Sequence, residues 1–168
     1  MNTLIRDGNE KDSSIISRIY TESWKSAYKG MVPDEYLRNI KYDFWIEKFQ
    51  KWIQDNILKV KIIYLIDKVV GAAAYGKSTD EKYLDYAEIR SFYLLPKYFR
   101  KGLGTALMKS VIREVCEEGY SKCYLWVLDE NKNARAFYEK LGFSCTDDKC
   151  YCSIMDKELC HIRYVLDI

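Results

Sequence analysis

The chain has 168 residues, 48% hydrophobic and 31% charged, with 27 basic against 25 acidic side chains for a net charge of +2. That is enough apolar material for a full core, and too even a charge balance to argue for nucleic acid or an anionic membrane surface as partner. Neither a signal-peptide pattern nor an apolar stretch of membrane-spanning length occurs, so no membrane partner is expected. The six cysteines fall at 116, 123, 145, 150, 152 and 160, several inside apolar patterns; we expect them reduced, the protein cytoplasmic, and residues 1–168 one domain. His161 is the only histidine, too little beside Cys150 and Cys152 for zinc-ligand spacing, so no metal is expected.

Leu4 and Ile5 open as a short strand. Asp12 or Ser13 can cap the helix that follows, whose apolar stripe runs Ile15, Ile16, Ile19, Tyr20, Trp24, Ala27 and Tyr28 before Gly30 ends it. Pro33 suits the first turn of a second helix with Tyr36, Leu37 and Ile40, and the helical pattern continues through Phe44, Trp45, Phe49, Trp52 and Ile53 to about Asn56. Residues 59–66 and 69–75 read as strands paired in a hairpin across Asp67-Lys68. After a polar turn at 79–82, residues 83–95 form an apolar, β-rich strand that Pro96 stops. A basic loop, 97–101, leads through Gly102 and Gly104 into a helix with Leu103, Ala106, Leu107, Val111 and Val115 at steps of three and four. Gly119 is its C-cap residue. A buried strand at 124–128 precedes a helix from Asn131 to Gly142. Strand pieces at 143–146 and 150–155, split by Asp147-Asp148-Lys149, and a last strand at 161–166 complete the chain. The order β-α-α-β-β-β-α-β-α-β-β, without repeat or linker, predicts an α+β fold on a mixed sheet.

The strand, glycine-containing basic loop and helix at 87–105 have a physical use. The first turn of a helix presents N–H groups without partners and a positive dipole end, glycines admit an anion to the backbone, and Arg100 and Lys101 add charge. This makes a candidate phosphate or pyrophosphate cradle; a plain strand-to-helix turn with solvated basic residues is the alternative. The P-loop spacing and Gly-x-Gly-x-x-Gly are both absent.

Gly102-Leu103-Gly104 resembles the second half of the Gln/Arg-x-x-Gly-x-Gly/Ala motif of the GCN5-related N-acetyltransferases, with Phe99 where that family usually has Gln or Arg. One strand later, Asn131-Lys-Asn-Ala-Arg-Ala-Phe-Tyr-Glu-Lys-Leu-Gly-Phe143 resembles the family's second motif. The resemblance covers about residues 87–164. It implies the acyl-CoA N-acyltransferase fold, a central mixed, mostly antiparallel sheet flanked by helices, and acetyl transfer from acetyl-CoA to a primary amine by direct attack. It implies a pyrophosphate loop of Phe99, Arg100, Lys101, Gly102, Leu103, Gly104 and Thr105. It further implies that the central strand splays from its neighbour and frees the main chain of Phe92, Tyr93 and Leu94 for the pantetheine arm. Asn131 is either an N-cap or a contact to that arm.

Tyr138 matches the family's usual general acid, a phenol with a reference pKa of ~10 facing a departing thiolate of pKa ~8.5. Glu88 is the candidate base, acting through water, with an outward solvated carboxylate as the alternative; Asp85 is a weaker substitute. Arg90, one strand step from Glu88 on the same face, could pair with it. Trp24 and Tyr28, with Tyr36, lie in a segment similar to one branch of bacterial members and read either as an aromatic wall on the acceptor pocket or as ordinary amphipathic packing. A homodimer is compatible with the resemblance. Two rivals remain: an acyl-CoA-binding sensor without turnover, and a nucleotide-binding protein using the Gly102 loop for ATP, against which the missing Lys-Ser/Thr counts.

Overall fold

Seven strands form one sheet in a computed structural model that describes residues 2–168. In chain order the elements are β1 (Thr3–Asp7), α1 (Ser13–Ala27), α2 (Asp34–Asn39), α3 (Ile46–Gln54), β2 (Lys59–Leu65), β3 (Lys68–Lys77), β4 (Ala87–Leu94), α4 (Leu103–Glu117), β5 (Lys122–Leu128), α5 (Lys132–Lys140), β6 (Ser144–Ile154) and β7 (Lys157–Asp167). The strands lie in the order β1-β2-β3-β4-β5-β7-β6, antiparallel except where β4 meets β5. The expected α+β architecture, a mixed and mostly antiparallel sheet flanked by helices, is the one observed.

Period-two alternation along the strands divides the core between two faces. Ala73 and Tyr75 of β3 join Leu107, Met108, Val111 and Val115 of α4 on one face, and Ala72 and Ala74 join Ile16, Tyr20 and Phe49 of α1 and α3 on the other. The run of fully buried alanines in β3 gives both helical layers close approach at the same strand.

Several local expectations need correction. Asp12 sits at the N-cap position of α1 but does not cap it. Its carboxylate accepts from the Asn9 N–H at 2.9 Å and from Arg6, while Asn9 caps the short 3-10 turn at Glu10–Asp12. The long second helix is two helices, α2 and α3, because Ile40 is already extended. The central strand begins at Ala87, not residue 83, since Glu81–Tyr83 form a 3-10 turn capped by Asp80. The polar Asp147-Asp148-Lys149 insertion does not interrupt β6: the register shifts between Cys145 and Lys149 and pairing with β7 continues. β7 starts at Lys157, four residues before the expected 161.

One irregularity positions the site. β4 and β5 pair only through Ala87↔Cys123 and Glu88↔Tyr124. Beyond Glu88 the two strands part, β4 staying with β3 and β5 with β7.

Candidate active site

The gap between β4 and β5 exposes one side of the β4 main chain. Leu95 donates to the Val70 carbonyl at 2.8 Å, so by antiparallel alternation the Tyr93 and Ser91 amides also face β3. The Phe92 and Leu94 amides therefore point into the gap. By the same alternation the main chain of Tyr93, expected to be free with theirs, is turned towards β3, and its side chain packs on the α1 face. On the other face Phe92 stacks on Phe137 of α5 at 5.6 Å and meets Tyr138 edge-on at 6.5 Å, so α5 side chains fill the space under the gap.

Beyond the gap, Leu95 and a 3-10 turn at Pro96–Tyr98 lead to the basic loop. Arg100 has φ +59° and Gly102 φ +77°, two left-handed residues that turn the chain into α4. Gly102 has nothing within 4 Å of where a Cβ would stand, so its backbone lies open to solvent. Gly104 is different: a Cβ there would sit 3.3 Å from Phe137, so this glycine serves the packing of α4 on α5. None of the amides of Arg100, Lys101, Gly102, Leu103, Gly104 and Thr105 has a hydrogen-bond partner among the described residues; the first to be satisfied is Ala106, bonded to the Gly102 carbonyl at 3.0 Å. Lys97 and Lys101 lie over the Tyr98 ring at 5.2 and 5.5 Å, and Phe99 is half exposed. A run of unpartnered amides at a positive helix end beside Lys97, Arg100 and Lys101 suits a multiply charged anion.

Helix α5 delivers Tyr138. Asn131 is its N-cap, Oδ1 accepting from the Ala134 N–H at 3.2 Å, which leaves its side-chain amide NH2 free. Arg135 anchors the helix to β5 and β7 through Asp129 and through the Tyr164 hydroxyl at 3.1 Å. Tyr138 is buried against Phe137, Phe143 and Tyr164, and burial pushes its phenol above the usual tyrosine range, with the nearby Tyr28 adding to the rise. Tyr28, at the end of α1, shares its hydroxyl with that of Tyr93 at 3.3 Å, and burial raises both. Phenols held this high are neutral donors at physiological pH.

At the paired end of β4, Glu88 accepts from Arg90 at 2.7 Å, the pairing the sequence allowed. The carboxylate is thus partly sheltered, 13% exposed, and not an outward solvated one. Arg90 and Ser91 also line a cleft of about 180 Å³ between β4, α1 and α3. Trp24 contributes to this cleft, packing on Tyr28 at 4.8 Å and on Trp45 at 5.7 Å.

Trp24 thus lines the cleft, while Tyr28 packs behind it against Trp24 and Tyr93. Missed from the sequence were Tyr20, Trp45, Phe49, Trp52 and the Tyr93 side chain, which complete the wall. Tyr20, Trp24 and Tyr28 recur at steps of four, a signal that one face of α1 is aromatic, but nothing local ties that face to β4. Also unforeseen is Arg163 of β7, buried and stacked 3.7 Å over Tyr83 and 4.4 Å over Trp126, with Asp80 and Asp148 as its acid partners.

Comparison with known proteins places this geometry. The family model described as "Acetyltransferase (GNAT) family" matches residues 16–143. YuaI of Bacillus subtilis, an N-acetyltransferase whose own role is uncharacterized, is 27% identical over 137 residues, 80% of this chain and 76% of that protein. The spermidine N(1)-acetyltransferase of Thermoplasma acidophilum is 25% identical over 170 residues, 94% of this chain and 98% of that one. Among solved structures, the PaiA N-acetyltransferase of Thermoplasma acidophilum in complex with coenzyme A superposes with a TM-score of 0.79 at 24% identity, covering 97% of this chain and 98% of that one. The Salmonella typhimurium yncA structure with acetyl-CoA superposes with a TM-score of 0.75 at 20% identity, covering 99% and 94%.

Proposed function

The chain belongs to the acetyltransferase (GNAT) family and is an N-acetyltransferase, and from that premise we propose that it moves the acetyl group of acetyl-CoA to a primary amine by direct attack, as a single catalytic domain over residues 1–168. The observation that carries the reading is the run of unpartnered amides from Arg100 to Thr105, opened by left-handed Gly102 and set just past the splayed end of β4. These donors fit a diphosphate, with Arg100 and Lys101 supplying charge. When bound, acetyl-CoA supplies an acyl group activated as a thioester.

The residues divide the remaining work. The gap-facing amides of Phe92 and Leu94 hold the extended arm and donate to the carbonyl oxygen as charge develops on it. Leu103, Gly104 and Thr105 complete the phosphate loop, Phe99, whose N–H is given to the Pro96 carbonyl at 3.0 Å, flanks it with a half-exposed ring, and the free NH2 of Asn131 is a second contact to the arm. Tyr138 holds a proton at its phenol oxygen and offers it to the departing sulfur. Its raised pKa makes it a weaker acid than a reference tyrosine, so the role is hydrogen-bond donation from a neutral phenol to the sulfur as charge develops there. Glu88, held in place by its ion pair with Arg90, accepts the amine's proton through water. Trp24 and Tyr28 flank the acceptor. All six cysteines are unpaired, which suits a cytoplasmic enzyme.

Calorimetry with CoA and ATP side by side, followed by thiol release from acetyl-CoA over an amine panel, tests the assignment. CoA binding with amine-dependent thiol release is expected. Tighter ATP binding would overturn it, and CoA binding without release on any amine would leave a sensor in place of an enzyme.

A further inference from the structure

The cleft beside Glu88 has a composition that narrows the acceptor. Six rings face it: Tyr20, Trp24, Trp45, Phe49, Trp52 and Tyr93. They pack mostly edge to face, Tyr20 lying 4.5 Å from Tyr93 and 4.9 Å from Phe49, which leaves ring faces and edges as the lining. The hydroxyls of this wall are already engaged, Tyr20 with Ser91 Oγ and Tyr93 with Tyr28, so they add little polarity. Among the described residues Arg90 is the only charged one lining the cleft, and its charge is balanced by Glu88. No carboxylate faces the cleft to receive a second or third ammonium. A larger depression of about 410 Å³, formed at the end of α1 and by α2, carries Lys25, Lys29 and Arg38 against Asp34 alone. A polycation would find no carboxylate lining the cleft and would meet net positive charge at the depression.

Size agrees with composition. A cleft of about 180 Å³ is slightly larger than the apolar cavity of about 150 Å³ that takes benzene, so one aromatic ring fits. The strand forming one wall is the one that carries Glu88 and the two gap-facing amides, which connects the cleft to the proposed chemistry.

We infer that the acceptor is an arylalkylamine, a primary amine whose flat apolar group seats in this cleft, and that polyamines are poor acceptors. The inference rests on the acetyl-transfer reading above. The test is thiol release from acetyl-CoA with 2-phenylethylamine, tryptamine, propylamine and spermidine, together with calorimetry of 2-phenylethylamine and spermidine on the CoA-loaded protein. The expected kcat/KM for the arylalkylamines is about tenfold or more above that for propylamine and spermidine, the worth of burying a ring. Trp52→Ala, on the partly exposed helix α3, raises KM for 2-phenylethylamine about tenfold and leaves the Kd for CoA unchanged. Spermidine turned over best, or binding better than 2-phenylethylamine, overturns the inference, as does a Trp52→Ala enzyme with unaltered KM for the aromatic acceptor. Failure to bind CoA at all strikes the underlying reading instead. If no amine is turned over, the calorimetric ranking still decides which class the cleft takes.

Discussion

Replacing Tyr138 with Phe separates chemistry from packing unusually cleanly. The Tyr138 ring is buried against Phe137 at 5.4 Å and Phe143 at 5.8 Å, and Phe keeps both contacts. The hydroxyl has no protein hydrogen-bond partner among the described residues, so its loss should change stability by less than about 0.5 kcal/mol. If the hydroxyl donates to the leaving sulfur, its removal lowers kcat by about 10²–10⁴-fold, about 3–5 kcal/mol of barrier. Because burial holds the phenol above its ordinary range, Tyr138 stays protonated from pH 6 to 9, and the wild-type and mutant rate profiles should have the same shape over that interval. Steady-state thiol release gives kcat, calorimetry gives the CoA Kd, and a thermal melt gives stability. The expected result is a large fall in kcat with Kd and Tm unchanged. A kcat within about twofold of wild type would remove Tyr138 from the mechanism, and a fall in Tm matching the fall in rate would reduce it to a packing residue.

Three further outcomes follow from other parts of the molecule. Glu88→Gln should lower kcat/KM about tenfold to a hundredfold at pH 7, with the deficit shrinking as pH rises towards the pKa of the amine, because free amine then needs no base; a deficit constant with pH contradicts the role. Gly102→Ala places a side chain at φ +77° with no new contact, so urea unfolding should show a loss of about 1–2 kcal/mol, and undiminished stability would contradict the left-handed turn. Asp80→Asn should cost about 2 kcal/mol at pH 7, less than a fully buried pair because Asp80 is 32% exposed, by leaving buried Arg163 with Asp148 alone. The Arg163 hydrogen bond holds the Asp80 pKa below its ordinary value, so this stability is present above about pH 4 and is lost as pH falls through the folded value. The gap between wild type and mutant should therefore close at low pH, and a gap of equal size at pH 7 and pH 3 would contradict the pairing.

What was legible in the sequence was local and periodic. The helix of Leu103, Leu107, Val111 and Val115, the glycine turn before it, the Asn131 cap and the hairpin across Asp67 all announce themselves within a few residues. The motif order Gly102 to Asn131 carried the family. Boundaries failed where capping chemistry competed: Asp12 is drawn to Arg6 and Asn9 and so is lost as a cap, and Asp80 starts a 3-10 turn that delays β4. The wall of the cleft was hidden because it is made of long-range contacts. Tyr20 and Ser91 are 71 residues apart, and Tyr28 and Tyr93 are 65 apart. The packing role of Gly104, beside its place in the loop, was hidden for the same reason, since Phe137, which crowds the position of its missing side chain, comes from another helix.

The central claim concerns the backbone amides that begin α4, and titrating CoA into ¹⁵N-labelled protein while following amide shifts tests it most directly. The largest downfield shifts are expected at Arg100–Thr105, whose N–H groups have no partner among the described residues, with smaller ones at Phe92 and Leu94. Saturable CoA binding that leaves the amides of Leu103, Gly104 and Thr105 unmoved would contradict it.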